Sequence, residues 1–196
     1  FDTGARVDVS AAPGGDAGTL VLSAASGTVT VADGTVQGNA PTNPGSTRGE
    51  GARVQIDAGT LANFSSLNTA LNSGGFDGVR DVRVRSGNVG VAAGDTVRAQ
   101  TVRIAADNGQ IDVAGTLDAS GEQAGRIELW AHDDVNVLST ASVEARATGA
   151  GETGGDIVIG TVDGQLDLAS GSQLKTTGGA GGQSGSILLR APRING

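Results

Sequence analysis

The chain has 196 residues, of which 34 are Gly, 4 Pro and only 2 % aromatic, and Val, Leu, Ile and Phe together make 44 of the 196. That apolar share lies just above the level at which a chain stays disordered, so any core must be built economically from small β-branched side chains. Thirteen Lys and Arg against 21 Asp and Glu give a formal charge of −8, which leaves no electrostatic footprint for nucleic acid or anionic lipid. The absence of Cys excludes disulfides, zinc thiolate sites and thiol nucleophiles together.

The first predicted element is Arg6-Val7-Asp8-Val9, a strand-like alternation. From Leu20 the sequence reads L-V-L-S-A-A-S-G-T-V-T-V-A-D-G-T-V: a short strand, a turn, a second strand at Val29, and a further apolar position at Val36. A Gly-, Ser- and Thr-rich corner follows at 38–50, and the next unit opens at Val54-Gln55-Ile56. From Leu61 to Leu71 the pattern changes, because Leu61, Phe64, Leu67 and Leu71 form a helical stripe. Ser65 or Ser66 is expected near its N-cap and Gly74-Gly75 ends it. A short helical insertion over 61–73 is predicted, with Phe64 and Phe76 covering apolar surface.

Beyond the helix, short alternating segments recur at Val82, Val89, Val102, Ile111, Ile127, Val135, Ile157, Leu166 and Ile187. The distance from first to second strand is nine positions for Leu20 to Val29, Val102 to Ile111 and Ile157 to Leu166. A third apolar position follows at Val36, Leu117 and Leu174. First-strand starts at Leu20, Val54, Val82, Val102, Ile127, Ile157 and Ile187 are separated by 20 to 34 residues, a period that signals a solenoid, propeller or array. Propeller blades need about four strands of regular length, whereas these units hold three short strands and variable corners at 38–50, 147–155 and 176–185. The predicted fold is all-β, a parallel β-helix whose units stack about 4.8 Å apart, making a rod roughly 30 Å long. Those seven residues are expected to share one inward column.

A single unit inserts a handful of aliphatic side chains worth roughly 1.5–3 kcal/mol each, against about 1–2 kcal/mol of ordering entropy per residue. Stability must come from stacking on neighbours. Strand-like sequence close to either end predicts one continuous segment over 1–196, part of a longer fibre, whose partners are further coils of the same or neighbouring chains.

The stretches L-N-T-A-L-N-S-G-G-F-D-G-V (67–79) and G-G-A-G-G-Q-S-G-S-I-L-L-R-A-P-R (178–193) resemble the filamentous-haemagglutinin-like large exoproteins of Gram-negative bacteria. The resemblance implies a right-handed β-helical fibre exported by two-partner secretion through a dedicated outer-membrane partner. It further implies display at the cell surface, and roles in adhesion, biofilm or toxin delivery with a host receptor or glycan as ligand. The family's secretion domain carries an Asn-Pro-Asn-rich motif. Only Asn43-Pro44-Gly45 stands here, which places the chain in the shaft.

Candidate chemistry is sparse. His132, the single histidine, precedes Asp133 and Asp134, yet no second His, Cys or activated Ser completes a triad or zinc site; a polar corner is expected. Asp107, Asp112, Asp118, Asp163 and Asp167 recur along the strands and turns. A β-helix polysaccharide lyase or hydrolase would gather such groups on one face, and it would line its groove with aromatics that this chain lacks. They are expected as solvated outward positions, and Asp107-Asn108-Gly109 and Asp163-Gly164 as ordinary turns. Arg80, Arg83, Arg85, Arg98 and Arg103 are expected on a solvated face paired with Asp81 and Asp95, the sharper alternative being an anionic-glycan patch. The Gly-rich run 178–185 lacks the Lys and helix of a phosphate loop and is expected as a flexible corner in which Gly179→Ser changes little. The sequence thus predicts a structural, non-catalytic segment with no cofactor, no metal and no nucleic-acid partner. The alternative is a β-helix carbohydrate-active enzyme.

Overall fold

A computed structural model describes residues 1–42 and 49–196; the Asn43-Pro44-Gly45 run and the middle of the 38–50 corner lie outside them. The chain is built of parallel strands with one short helix, the arrangement of an all-β parallel β-helix. Among the described residues, strands at Thr19–Val29, Arg53–Leu61, Val79–Val84, Thr101–Ala106, Arg126–Ala131, Asp156–Thr161 and Ser186–Arg190 form one seven-stranded ladder, here called the long sheet. A second sheet stacks Val89–Val91, Ile111–Val113, Val135–Val137, Gln165–Leu168 and Arg193–Asn195. A third stacks Thr96–Arg98, Thr116–Asp118, Ser142–Glu144 and Gln173–Lys175. Each of the four circuits between Val79 and Lys175 contributes one strand to each sheet, which is why segments too short to stand alone as strands are stable here.

Alternation decides which side chains enter. Strand side chains point to opposite faces with period two, so Val102, Ile127 and Ile157 in one column, and Ile104, Leu129 and Ile159 in the next, all face inward and are buried. Ile111, Val135 and Leu166 on the second sheet and Leu117 and Val143 on the third close the core from the other sides. Each buried aliphatic contributes about 1.5–3 kcal/mol.

The expected column needs one correction. Leu20, Val54, Val102, Ile127, Ile157 and Ile187 do share a column, but its third member is Arg80; Val82 belongs two residues on, between Ile56 and Ile104. At Ser186–Arg190 the column is less covered: Ile187 is 43 % exposed, and among the described residues that strand pairs with Asp156–Thr161 alone.

The reason a charged residue can occupy an inward position is the helix. α1 spans Phe64–Ser73 and takes the place that a second and third strand occupy in other circuits, lying between Val36–Gln37 on one side and Val89–Val91 and Thr96–Arg98 on the other. Its N-cap is Asn63, whose Oδ1 accepts the Ser66 N–H at 3.0 Å, rather than Ser65 or Ser66. Phe64, Leu67, Ala70 and Leu71 fill the interior beside the fully buried Phe76, leaving a void of only about 10 Å³ at the seam with the long sheet. Arg80 reaches into this layer. Its Nε donates to the Phe76 carbonyl at 2.7 Å, Nη1 to Asn68 Oδ1 at 2.9 Å and Nη2 to Asn72 Oδ1 at 2.7 Å. Both asparagines in turn donate to the Thr96 carbonyl, at 3.0 and 2.8 Å. Burial pushes the Arg80 guanidinium down to about 10 against the pull of Asp77.

The corner after the third sheet also differs from expectation. The loops at 145–155 and 176–185 stack on one another through backbone hydrogen bonds, Gly151 N to Ala180 O at 2.8 Å, Gly154 N to Gln183 O at 2.9 Å and Gly179 N to Glu152 O at 2.9 Å. A Cβ on Gly179 would collide with the Gly149 carbonyl. The glycine richness of 178–185 is therefore a demand of close backbone approach, not of looseness, and Gly179→Ser is expected to be costly.

Candidate functional site

The outward face of the long sheet carries Arg53, Arg83, Arg103 and Arg126, and the ladder brings residues far apart in sequence onto neighbouring rungs. Arg83 pairs with Asp107 at 2.8 Å, Arg85 with Asp57 at 2.7 Å and Arg103 with Glu128 at 2.9 Å. Arg126 bonds Glu128 through Nε and Asp156 through Nη1, the latter at 3.0 Å. On the third sheet Arg98 pairs with Asp118 at 2.9 Å and Lys175 with Glu144 at 3.3 Å. The arginine stripe read from the sequence is thus dispersed. Arg80 is internal, Arg98 is on another sheet, and the partners are Asp107, Asp57, Glu128 and Asp118, not Asp81 and Asp95. Asp95 instead accepts from the Ser65 hydroxyl at 2.5 Å.

These pairings hold the acids charged. The Arg85 guanidinium beside Asp57 lowers that carboxyl below its ordinary range. Burial alone would raise Glu144 and Glu128, yet Ser142, Lys175 and Arg146 around the first, and Arg126 and Arg103 around the second, hold both below the ordinary value. No carboxyl among these is poised as a general acid near neutral pH.

The five aspartates do not converge. Asp107 and Asp163 stand in the turns after the long sheet, Asp112 and Asp167 point outward from the second sheet and Asp118 from the third. Asp112 accepts from Gln110 Nε2 at 2.8 Å and Asn136 Nδ2 at 2.7 Å, and Asp167 accepts from Gln165 Nε2 at 2.9 Å and Asn195 Nδ2 at 2.6 Å. Asp112, Asn136, Asp167 and Asn195 occupy one column, so they form a polar ladder between coils.

His132 sits at the turn leaving Arg126–Ala131. Its Nδ1 lies 3.0 Å from Asp133 Oδ1 and its Nε2 3.5 Å from Asp163 Oδ2. The Asp133 hydrogen bond, reinforced by the two negative charges, raises the imidazole above its ordinary 6.5. Among the described residues no hydroxyl bonds the ring. Asp134 faces elsewhere and accepts the Gln165 N–H at 2.9 Å. A surface imidazolium clamped by two carboxylates is an ion pair across two rungs, without a nucleophile to activate. No group of three or more His, Asp or Glu suited to a metal gathers among the described residues, and none of their helices is long and apolar enough to cross a membrane.

Two features escaped the sequence reading. One is a groove of about 920 Å³ at the corner between the third and long sheets, lined among others by Glu50, Arg53, Arg98, Gln100, Glu122 and Glu152. It exists because the corners near Gln100 are tight and those on either side are long, a length difference visible in the spacing of the units. Arg98 and Arg53 are already tied to Asp118 and Glu50, and the groove presents no nucleophile and base together. The other is Trp130, which lies outward on the long sheet and is 37 % exposed. Its outward parity follows from its place between the inward Leu129 and Ala131.

No protein-family model, no curated protein and no solved structure matches this chain.

Proposed function

We propose that this chain is a structural segment of a secreted, cell-surface, adhesin-like β-helical fibre, a shaft that carries other parts of the protein outward and performs no catalysis itself. The observation that carries this reading is the use made of the charged side chains. Arg83, Arg85, Arg98, Arg103 and Arg126 are each engaged by a carboxylate on a neighbouring rung, so the outer charges tie coils together and do not converge on a reacting centre. Catalysis requires an acid-base pair or nucleophile with shifted pKa values in one place. Here Asp57, Asp118, Glu128 and Glu144 are lowered, and the paired acids are spread over more than one sheet.

Stacking supports the partner side of the proposal. Among the described residues Ser186–Arg190 and Arg193–Asn195 are each paired along one edge only, and their inward Ile187 and Ile194 are 43 % and 48 % exposed. Such an edge accepts a further coil, of the same or a neighbouring chain. Export through an outer-membrane partner of a Gram-negative cell follows from the exoprotein resemblance, and a Cys-free chain suits passage in an unfolded state.

The test is incubation of the purified chain with acidic and neutral polysaccharides, assayed for new reducing or unsaturated ends. The shaft reading expects none. Their appearance, abolished by a single Asp substitution, would replace it with a β-helix carbohydrate-active enzyme.

A further inference from the structure

We propose that the outer face of the long sheet around Trp130 binds an acidic polysaccharide, a chain of uronate-type pyranoses laid along the stacking axis. The proposal deepens the adhesive reading above by naming a ligand class and a site.

Trp130 occupies an outward column between Ala105 and Gly160, with Arg190 on the rung after Gly160. A Cβ built on Gly160 would collide with Cζ3 and Cε3 of the indole. The six-membered ring therefore lies down over the bare Gly160 backbone, and the side chain still keeps 37 % of its surface in solvent. Among the described residues the indole N–H has no hydrogen-bond acceptor. In the adjacent outward column Glu128 stands beside Trp130, tied to Arg103 and Arg126, and on the next two rungs Val158 is buried and Leu188 is 54 % exposed, so the floor is apolar on the side toward Arg190. This geometry suits a pyranose. The axial C–H bonds of the sugar rest on the electron-rich ring face, and the free indole N–H donates to a hydroxyl at its edge.

Arg190 supplies the preference for acid. Unlike Arg103 and Arg126, which are held by Glu128 and Asp156, Arg190 is exposed and has no carboxylate partner among the described residues. The sequence beyond Asp167 contains Lys175, Arg190 and Arg193 and no acid, against a net charge of −8 for the whole chain. Lys175 is already bound to Glu144, so the arginines are the cations left to recruit a ligand. The two-rung step from Trp130 to Arg190 is about 10 Å, the span of two linked pyranose rings. A chain stacked on Trp130 thus brings a carboxylate to a guanidinium whose planar fork accepts it in bidentate fashion.

Trp130 is the single tryptophan of the chain, so its emission reports the site directly. The whole chain is titrated with hexagalacturonate and, separately, with the neutral maltohexaose. The expected result is a saturable change in emission that is tighter for the acidic hexamer. Arg190→Gln is expected to weaken the acidic hexamer about tenfold, to the level of the neutral one, with unchanged melting. Gly160→Val, which displaces the ring, is expected to abolish the response in a chain whose far-ultraviolet circular dichroism is preserved. No saturable change with either hexamer overturns the proposal, as does equal affinity for the two or an undiminished affinity in Arg190→Gln. Such a failure leaves the shaft reading standing, because that reading is tested by polysaccharide cleavage and not by binding.

Discussion

Replacing Arg80 by Met removes the donors that hold α1 to the rest of the stack. The Phe76 carbonyl, Asn68 Oδ1 and Asn72 Oδ1 each lose a partner now at 2.7, 2.9 and 2.7 Å. An orphaned buried acceptor costs roughly 1–3 kcal/mol, and water can reach only Asn72 readily, since Asn68 is buried and Asn72 exposed. Against this stands the relief of no longer burying a charge, whose desolvation is visible in the lowered guanidinium. Removing one partner of a buried network usually costs about 3–5 kcal/mol, and the partial relief places Arg80→Met near 3 kcal/mol. For a chain of this size that is a fall in melting temperature of about 6–12 °C. Urea unfolding followed by circular dichroism should show a lower midpoint at unchanged slope. Arg80→Lys, which keeps the charge and loses the planar fork, should fall between wild type and Met. If Arg80→Met unfolds within about 0.5 kcal/mol of wild type, the polar bracket between helix and sheet contributes nothing, and the account of why a charge tolerates the inward column is wrong.

Three further outcomes are expected. Ile157→Ala, in a fully buried rung between Ile127 and Ile187, should cost about 2–5 kcal/mol, whereas Ile187→Ala at the exposed last rung should cost well under half as much; equal melting shifts would break the column assignment. Gly179→Ser should destabilise by about 1–3 kcal/mol because its Cβ meets the Gly149 carbonyl, while the exposed Ala180→Ser stays within about 0.5 kcal/mol; indistinguishable variants would refute the stacking of the corner loops. Glu128, Glu144, Asp57 and Asp118 all have carboxyls lowered in the folded chain, so their stabilisation is complete above the unfolded carboxylate range and is lost as pH falls through the folded values. Melting temperature should therefore drop progressively below about pH 4.5, and a flat profile from pH 6 to 3 would contradict the ion-pair ladder.

The all-β stacked architecture was legible because V-x-V alternation and the nine-residue step between first and second strands are direct consequences of strand parity and turn length. The helical stripe was legible too, since Leu67, Leu71 and Phe64 recur at helical spacing, although the polar Asn63 proved a better cap than the serines inside the first turn. Register around Val79–Val84 was harder. The run V-R-D-V-R-V offers an apolar start at Val82, and only the nine-residue step back from Val89 points to Arg80. Hydrophobicity argues against that position, and what decides it is the pair of asparagines on α1, which no pattern in the strand itself reveals. The corner loops were misjudged for a related reason. Glycine in sequence is consistent with freedom or with close packing, and the two are separated only by what stacks above and below. The ion pairs between rungs link residues 20 to 31 apart, so their partners depended on register, and the Arg stripe dissolved once Arg80 moved inside. Trp130 drew no reading from the sequence, because its setting depends on Gly160, one rung away.

The central claim is the in-register stack, and its most direct test uses the absence of native cysteine. Val21, Arg103 and Leu188 lie in one outward column, three and six rungs along from the first. Pairs of introduced cysteines at Val21 and Arg103, and at Val21 and Leu188, can carry spin labels for pulsed dipolar measurement. The stack predicts separations of about 14 Å and about 29 Å, growing linearly with rung number. Comparable distances for the two pairs, or a Val21 to Leu188 separation shorter than that from Val21 to Arg103, would contradict it.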